Sequence, residues 1–169
     1  KQKKCMTYFN SIFSDIIVLI DTRLKENTEQ SLKNTTNAYD IYSTLSIGPT
    51  TSRGVSILIK KTLPINIKRI HKDTKDSNYL MIETELYGEP LLITGIYAPN
   101  KDDPAFQKYI FKKMEDTGIK LKIKLGDYNI TRHPSLDNEN YSRNNNKKAR
   151  KTLNRLLKEY KYHDYLREQ

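Results

Sequence analysis

The chain has 169 residues, enough for one domain with its own core, and carries 30 Lys and Arg against 20 Asp and Glu, a formal charge of +10. Its longest aliphatic run, Ile16 to Ile20, is far shorter than the roughly 20 residues a membrane helix needs. Cys5 is the only cysteine, which excludes an internal disulfide and a cysteine-based zinc cluster.

Taken in chain order, Met6, Phe9 and Phe13 recur at helical spacing, so Lys4 to Phe13 reads as a short amphipathic helix. The unbroken apolar run Ile16–Ile20 suits a strand buried on both faces. A polar stretch from Thr22 to Ser52 follows, with a helix expected over Glu26–Lys33 and an aromatic segment at Tyr39–Tyr42. Arg53-Gly54 opens a strand over Val55–Ile59, and Pro64 precedes another in which Ile65 and Ile67 alternate. Leu80, Ile82, Thr84 and Leu86 share one face of a further strand, while Met81, Glu83 and Glu85 share the other. Tyr87-Gly88-Glu89-Pro90 reads as a hairpin turn returning into Leu91–Tyr97. Pro104 starts a helix whose stripe is Phe106, Tyr109, Ile110 and Met114, and Gly118 stops it. Leu121, Ile123 and Leu125 alternate into the last strand, and Ala149, Leu153, Leu156, Leu157 and Tyr160 mark a final amphipathic helix. This order predicts a single α/β domain over residues 1–169, with mixed β-sheets and helices packed outside them.

A basic excess of this size favours polyanions, since each phosphate contact releases condensed counterions. Lys- and Asn-rich composition arises equally from AT-rich coding sequence and serves solubility. The stretch from Arg143 to Lys151 concentrates five cations and three Asn. No leader-like hydrophobic segment follows the opening Lys1-Gln2-Lys3-Lys4, so a nuclear or cytoplasmic location without membrane contact is expected. A first residue other than Met is the expectation for an excised segment.

Three polar positions follow apolar strands directly: Asp21 after Ile16–Ile20, and Asp127 with Asn129 after Leu121–Leu125. A carboxylate at a strand end is held by the sheet yet faces the loops, where a hard cation such as Mg²⁺ takes one or two such oxygens. Either aspartate could equally cap a turn. Tyr97 ends another apolar strand, where its phenol could donate to a phosphate oxygen or lie at the rim of the core. His71, His133 and His163 are not spaced as metal pairs, and Ser-nucleophile, Walker and dinucleotide glycine patterns are lacking.

Four segments in order carry a family resemblance. Ile20-Asp21-Thr22-Arg23-Leu24 resembles Q-E-T-H-L, and Arg53-Gly54-Val55-Ser56-Ile57-Leu58-Ile59 resembles R-G-V-A-I-L-I. Ile96-Tyr97-Ala98-Pro99-Asn100 matches N-I-Y-A-P-N, and Leu125-Gly126-Asp127-Tyr128-Asn129 matches G-G-D-F-N. These are motifs of the exonuclease–endonuclease–phosphatase (DNase I-like) family, and the trailing His133 to Asp137 resembles its retrotransposon branch of apurinic-type endonucleases.

The resemblance implies a partial four-layer α/β sandwich and a Mg²⁺-dependent (or Mn²⁺-dependent) hydrolysis of DNA phosphodiesters. It places Asp21 at the metal-binding carboxylate and Tyr97 at the phosphate contact. Asp127 stands for the residue that activates water, and Asn129 for the amide that holds phosphate or metal. Asn100, Arg143, Lys147 and Lys148 are then the candidate substrate-binding groups, for DNA or alternatively RNA. The chain departs from the family pattern in several places. Asp21 is one methylene shorter than the family's glutamate, and Arg23 replaces a histidine. The family's N-x-N-G strand would precede Lys1, and its S-R-I-D and S-D-H segments would follow Gln169. A chain lacking its first and C-terminal strands is expected to expose sheet edges, closing them with a partner chain or a second copy. The alternative function is a non-catalytic descendant binding nucleic acid or a protein. A phosphatase acting on a small substrate is a third class, which the broad basic charge disfavours.

Overall fold

The computed structural model describes residues 14–34, 36–46, 52–131 and 146–163. The expected helix at Lys4 to Phe13, the loop of His133 and Asp137, and Arg143 lie outside them. The described chain is α/β, with two sheets and three helices, and separates into two compact units. No helix among the described residues is long and apolar enough to cross a membrane.

The first unit holds all seven strands, in chain up to Tyr97 and again over Ile119–Asp127. Its antiparallel sheet has the order β1-β3-β2, from β1 (Ile16–Ile20), β2 (Tyr39–Ser43) and β3 (Val55–Lys60). The second sheet runs β4-β5-β6-β7, from β4 (Ile65–Lys72), β5 (Tyr79–Leu86), β6 (Glu89–Tyr97) and β7 (Leu121–Asp127). Only β6 and β7 pair in parallel. The two-residue turn Tyr87-Gly88 has positive φ at both positions (52° and 85°), the twist a tight hairpin requires.

The sheets meet through Val55, Ile57 and Ile59 of β3 against Leu80, Ile82, Leu91 and Ile93. Helix α1 (Glu26–Lys33) covers the other face of the first sheet, where Leu24 and Leu32 meet Tyr39, Ile41 and Leu58. This makes β3 the strand buried on both faces. The expectation of double burial for Ile16–Ile20 holds in part: Ile16 and Val18 pack against the inter-sheet core and Ile17 and Leu19 against the α1 cluster, yet all five residues are only half-buried, β1 being an edge strand with β3 on one side. The segment Tyr39–Tyr42, expected as part of a polar stretch, is strand β2, since Tyr39 and Ile41 turn into the α1 cluster.

In β7 the alternation is present, but Leu121, Ile123 and Leu125 are 56%, 37% and 42% exposed. Their parallel partners are Leu91, Ile93 and Gly95, so the row points to the inter-sheet side.

The second unit holds α2 (Pro104–Glu115) and α3 (Lys147–Glu159), which pack through Phe111, Leu153 and Leu156. Phe111 also meets the rings of Tyr160 and Tyr162 at 5.7 and 5.5 Å. The buried stripe of α2 is Gln107, Ile110, Phe111 and Met114. It is rotated from the expected one: Tyr109 faces solvent, with the Lys113 ammonium 5.8 Å from its ring.

Candidate phosphate-handling site at the strand tips

The parallel pairing of β6 and β7 brings two candidate residues together. Tyr97 and Asp127 are direct register partners at the C-terminal ends of adjacent strands, where α/β sheets present their ligands. The Tyr97 backbone is fixed from the other side by its N–H donating to the Asn78 carbonyl at 2.7 Å. Gly126 lets β7 come this close. Its φ is +140°, and a Cβ there would collide with the Ile96 carbonyl. The glycine before Asp127 is therefore a steric requirement of the strand pair.

Asp21 follows β1 at the same end of the sheets. Gly95, two residues before Tyr97, packs so closely that an added Cβ would stand 2.7 Å from Val55 and 3.1 Å from Val18. Val55 pairs with Ile20, the residue before Asp21. The Asp21 carboxylate, however, is already engaged. Arg23 donates to Asp21 Oδ2 from Nη2 at 2.7 Å and from Nε at 3.1 Å. That hydrogen bond first, and the charge of Asp21 second, raise the pKa of the guanidinium; Tyr97 adds a smaller electrostatic contribution.

This arrangement fits a magnesium or manganese ligand poorly. Mg²⁺ needs oxygen ligands at about 2.0–2.1 Å in octahedral array, and here a guanidinium already bonds Oδ2 and sets a competing positive charge beside the carboxylate. Among the described residues no group of three or more His, Cys, Asp or Glu is placed to hold a metal.

Asn129 lies in the second unit. Its φ of 49° is left-handed, a region asparagine tolerates better than most residues. Its side-chain amide donates to the Ala98 carbonyl at 2.6 Å, and its own carbonyl accepts from Asn146 Nδ2 at 2.6 Å. The amide thus joins the segments that follow β6 and β7. Asn100 is exposed in the first of these. Two residues on, Asp102 accepts from the N–H groups of Lys148 at 3.1 Å and Ala149 at 2.6 Å. So Asn100, Lys147 and Lys148 are gathered at the start of α3. The Ala149 hydrogen bond holds the Asp102 pKa below its ordinary value against an opposing effect of burial, with Lys148 adding to the lowering. Two lysines in a first helical turn oppose the helix dipole, and Asp102 offsets them.

Sequence reasoning did not single out Arg23 or Asp102. Arg23 stood out only as a departure from the family pattern, and Asp102 looks in sequence like one of two acids before Pro104.

No family model matches the chain. Solved structures do resemble it. The catalytic domain of APE2 from Xenopus laevis is 15% identical with a TM-score of 0.71, over 91% of this chain and 63% of that one. An AP endonuclease from Archaeoglobus fulgidus is 12% identical with a TM-score of 0.70, over 93% and 65%. A humanized TDP2 from D. rerio is 15% identical with a TM-score of 0.59, over 77% and 58%. This chain therefore spans about three-fifths of the length of these structures. At such identities the likeness concerns the fold, which is DNase I-like.

Proposed function

We propose that the chain is a nuclease-like domain of retroelement origin that acts on the phosphodiester backbone of DNA and hydrolyses it endonucleolytically. The observation that carries this reading is the pairing of Tyr97 with Asp127 at one strand end. Water attacks phosphorus in line, with Asp127 receiving its proton. The P–O bond to the opposite sugar oxygen breaks, that oxygen leaves as the strand's new hydroxyl after taking a proton from solvent, and the Tyr97 phenol donates a hydrogen bond to a non-bridging oxygen. Asn129 fixes the loop that follows Asp127, and Asn100, Lys147 and Lys148 serve as further contacts to the nucleic-acid backbone. The ion expected for this chemistry is Mg²⁺, with Mn²⁺ as its substitute. Since Asp21 as placed fits either poorly, no step is assigned to the metal. The neighbour named as an AP endonuclease supports a nucleic-acid backbone as substrate, DNA first, with RNA the alternative polyanion. The domain is read as single, working in nucleus or cytoplasm, its exposed β7 row closed by a partner chain or second copy.

Nicking of supercoiled plasmid tests the proposal. Activity in Mg²⁺ that drops by at least about a hundredfold in Asp127→Ala is expected. Equal nicking by the variant, or none by the wild type, refutes hydrolysis. A second reading then takes over: a non-catalytic descendant that binds nucleic acid. The guanidinium that engages the Asp21 carboxylate favours it.

A further inference from the structure

The tip of β1 is built around Arg23 with more constraint than a surface turn needs. Asp21, Arg23 and Arg53 all hold left-handed backbone, with φ of 51°, 52° and 60°, a conformation that L-residues adopt only when their surroundings impose it. The surroundings here are two backbone bonds, Thr22 N–H to the Gly54 carbonyl at 3.2 Å and Arg23 N–H to the Arg53 carbonyl at 2.7 Å. Gly54 makes them feasible: its φ is +110°, and a Cβ would stand 2.6 Å from Thr22 Oγ1. Arg53 is tethered in turn to Asp76 at 3.2 Å. Together these hold the backbone from which the Arg23 guanidinium extends to Asp21.

That guanidinium lies outermost. The Arg23 side chain is 59% exposed and that of Asp21 32%, so an arriving anion meets the cation before the carboxylate. Asp21 takes bonds from Nε and Nη2. Of the five N–H donors of an arginine, the remainder are open to another oxygen. The Tyr97 phenol is near enough to share its electrostatic field.

We infer that Arg23, oriented by Asp21, is a metal-independent ligand for a backbone phosphate of nucleic acid, so that Asp21 is a positioning residue and not a metal ligand. The inference rests on the reading of the chain as a domain that engages such backbones, and it names the contact at this tip that needs no ion. A planar guanidinium held on one edge by a carboxylate loses little freedom when its other edge meets phosphate. A divalent cation at Asp21 would meet the charge of the guanidinium that already bonds Oδ2.

The test measures binding of a short fluorescein-labelled DNA duplex by anisotropy, in EDTA and in Mg²⁺ at matched ionic strength. The proteins are wild type, Arg23→Gln, Arg23→Lys, Asp21→Asn and Arg69→Gln. Arg69 is exposed on the opposite edge strand β4, and losing it removes the same charge. Wild type is expected to bind equally with and without Mg²⁺. Arg23→Gln weakens binding on the order of tenfold and lowers the salt slope by about one. Arg23→Lys recovers part of both, and Arg69→Gln changes neither. Circular dichroism melts of each variant accompany the titrations; should Arg23→Gln melt early, the Arg23→Lys comparison in EDTA decides, a loss of affinity at unchanged charge being expected. Binding by wild type with Arg23→Gln and Arg23→Lys unaltered overturns the inference and leaves the DNA reading standing. Binding that appears only with Mg²⁺ and vanishes in Asp21→Asn overturns it in favour of a metal at Asp21. No binding under either condition refutes the DNA reading itself.

Discussion

Gly126 sits between an alternating strand and the aspartate proposed to take the water proton. Its backbone has φ +140°, and its missing Cβ leaves room for the Ile96 carbonyl. Gly126→Ala must therefore pry β7 from β6 or turn Asp127 out of line. Urea unfolding is expected to show a loss of roughly 2–4 kcal/mol, and plasmid nicking should fall with it. Asp102 acts on α3 from outside the helix. Its folded pKa lies below the ordinary carboxylate value, so its contribution is complete above that value and disappears as pH falls through the lowered one. The melting temperatures of wild type and Asp102→Ala should thus differ fully near neutrality and converge only below about pH 4. A melting-temperature gap that is constant from neutral pH to pH 3 would mean that the carboxylate charge is irrelevant. Among the candidate residues, Asp21, Tyr97, Asp127 and Asn129 were legible because each follows an apolar run. The Arg23 bond to Asp21 was not, since it depends on two left-handed residues that no periodicity reports.

At the scale of elements, the clearest sequence signals came where local chemistry and burial agree. Pro104 follows Asp103, whose carboxylate accepts from the Phe106 N–H at 3.0 Å, a helix start written in the residues themselves. Asp103→Ala is expected to cost about 1 kcal/mol in chemical denaturation. Periodicity alone was a poorer guide. For α2 it selected Tyr109, where packing selected Phe111 and Gln107, because the face of a helix is set by what it meets. In β7 it marked an apolar row whose side chains do point toward the opposing sheet yet stay between about a third and a little over half uncovered. An exposed apolar row on an edge strand invites pairing with another chain. Leu125→Lys should leave the unfolding midpoint within about 0.5 kcal/mol of wild type while lowering the association seen by light scattering at high concentration. Association that persists unchanged would exonerate the row.

For the whole molecule, the excess of ten positive charges favours a polyanion without naming one. A DNA-binding face making even three phosphate contacts predicts that log affinity falls against log salt with a slope of about −2.7. A flat dependence in equilibrium titrations would contradict any backbone-binding role. The DNase I-like arrangement was legible from four short motifs in order, each at a strand or its tip, where spacing along the chain reflects spacing across a sheet. It was not legible from composition, which a solubility argument explains as well.

The residues by themselves determined the α/β class, the succession of strands and helices, the basic character, and which side chains end apolar strands. These follow from local preference and from the period of the apolar pattern, both properties of a few neighbouring residues. Tertiary structure alone decided that β3 rather than β1 is the deeply buried strand, that Tyr97 and Asp127 are register partners, and that the carboxylate of Asp21 is bonded by Arg23. Each of those is a relation between segments or a backbone twist, and such relations are set by which surfaces can be buried together.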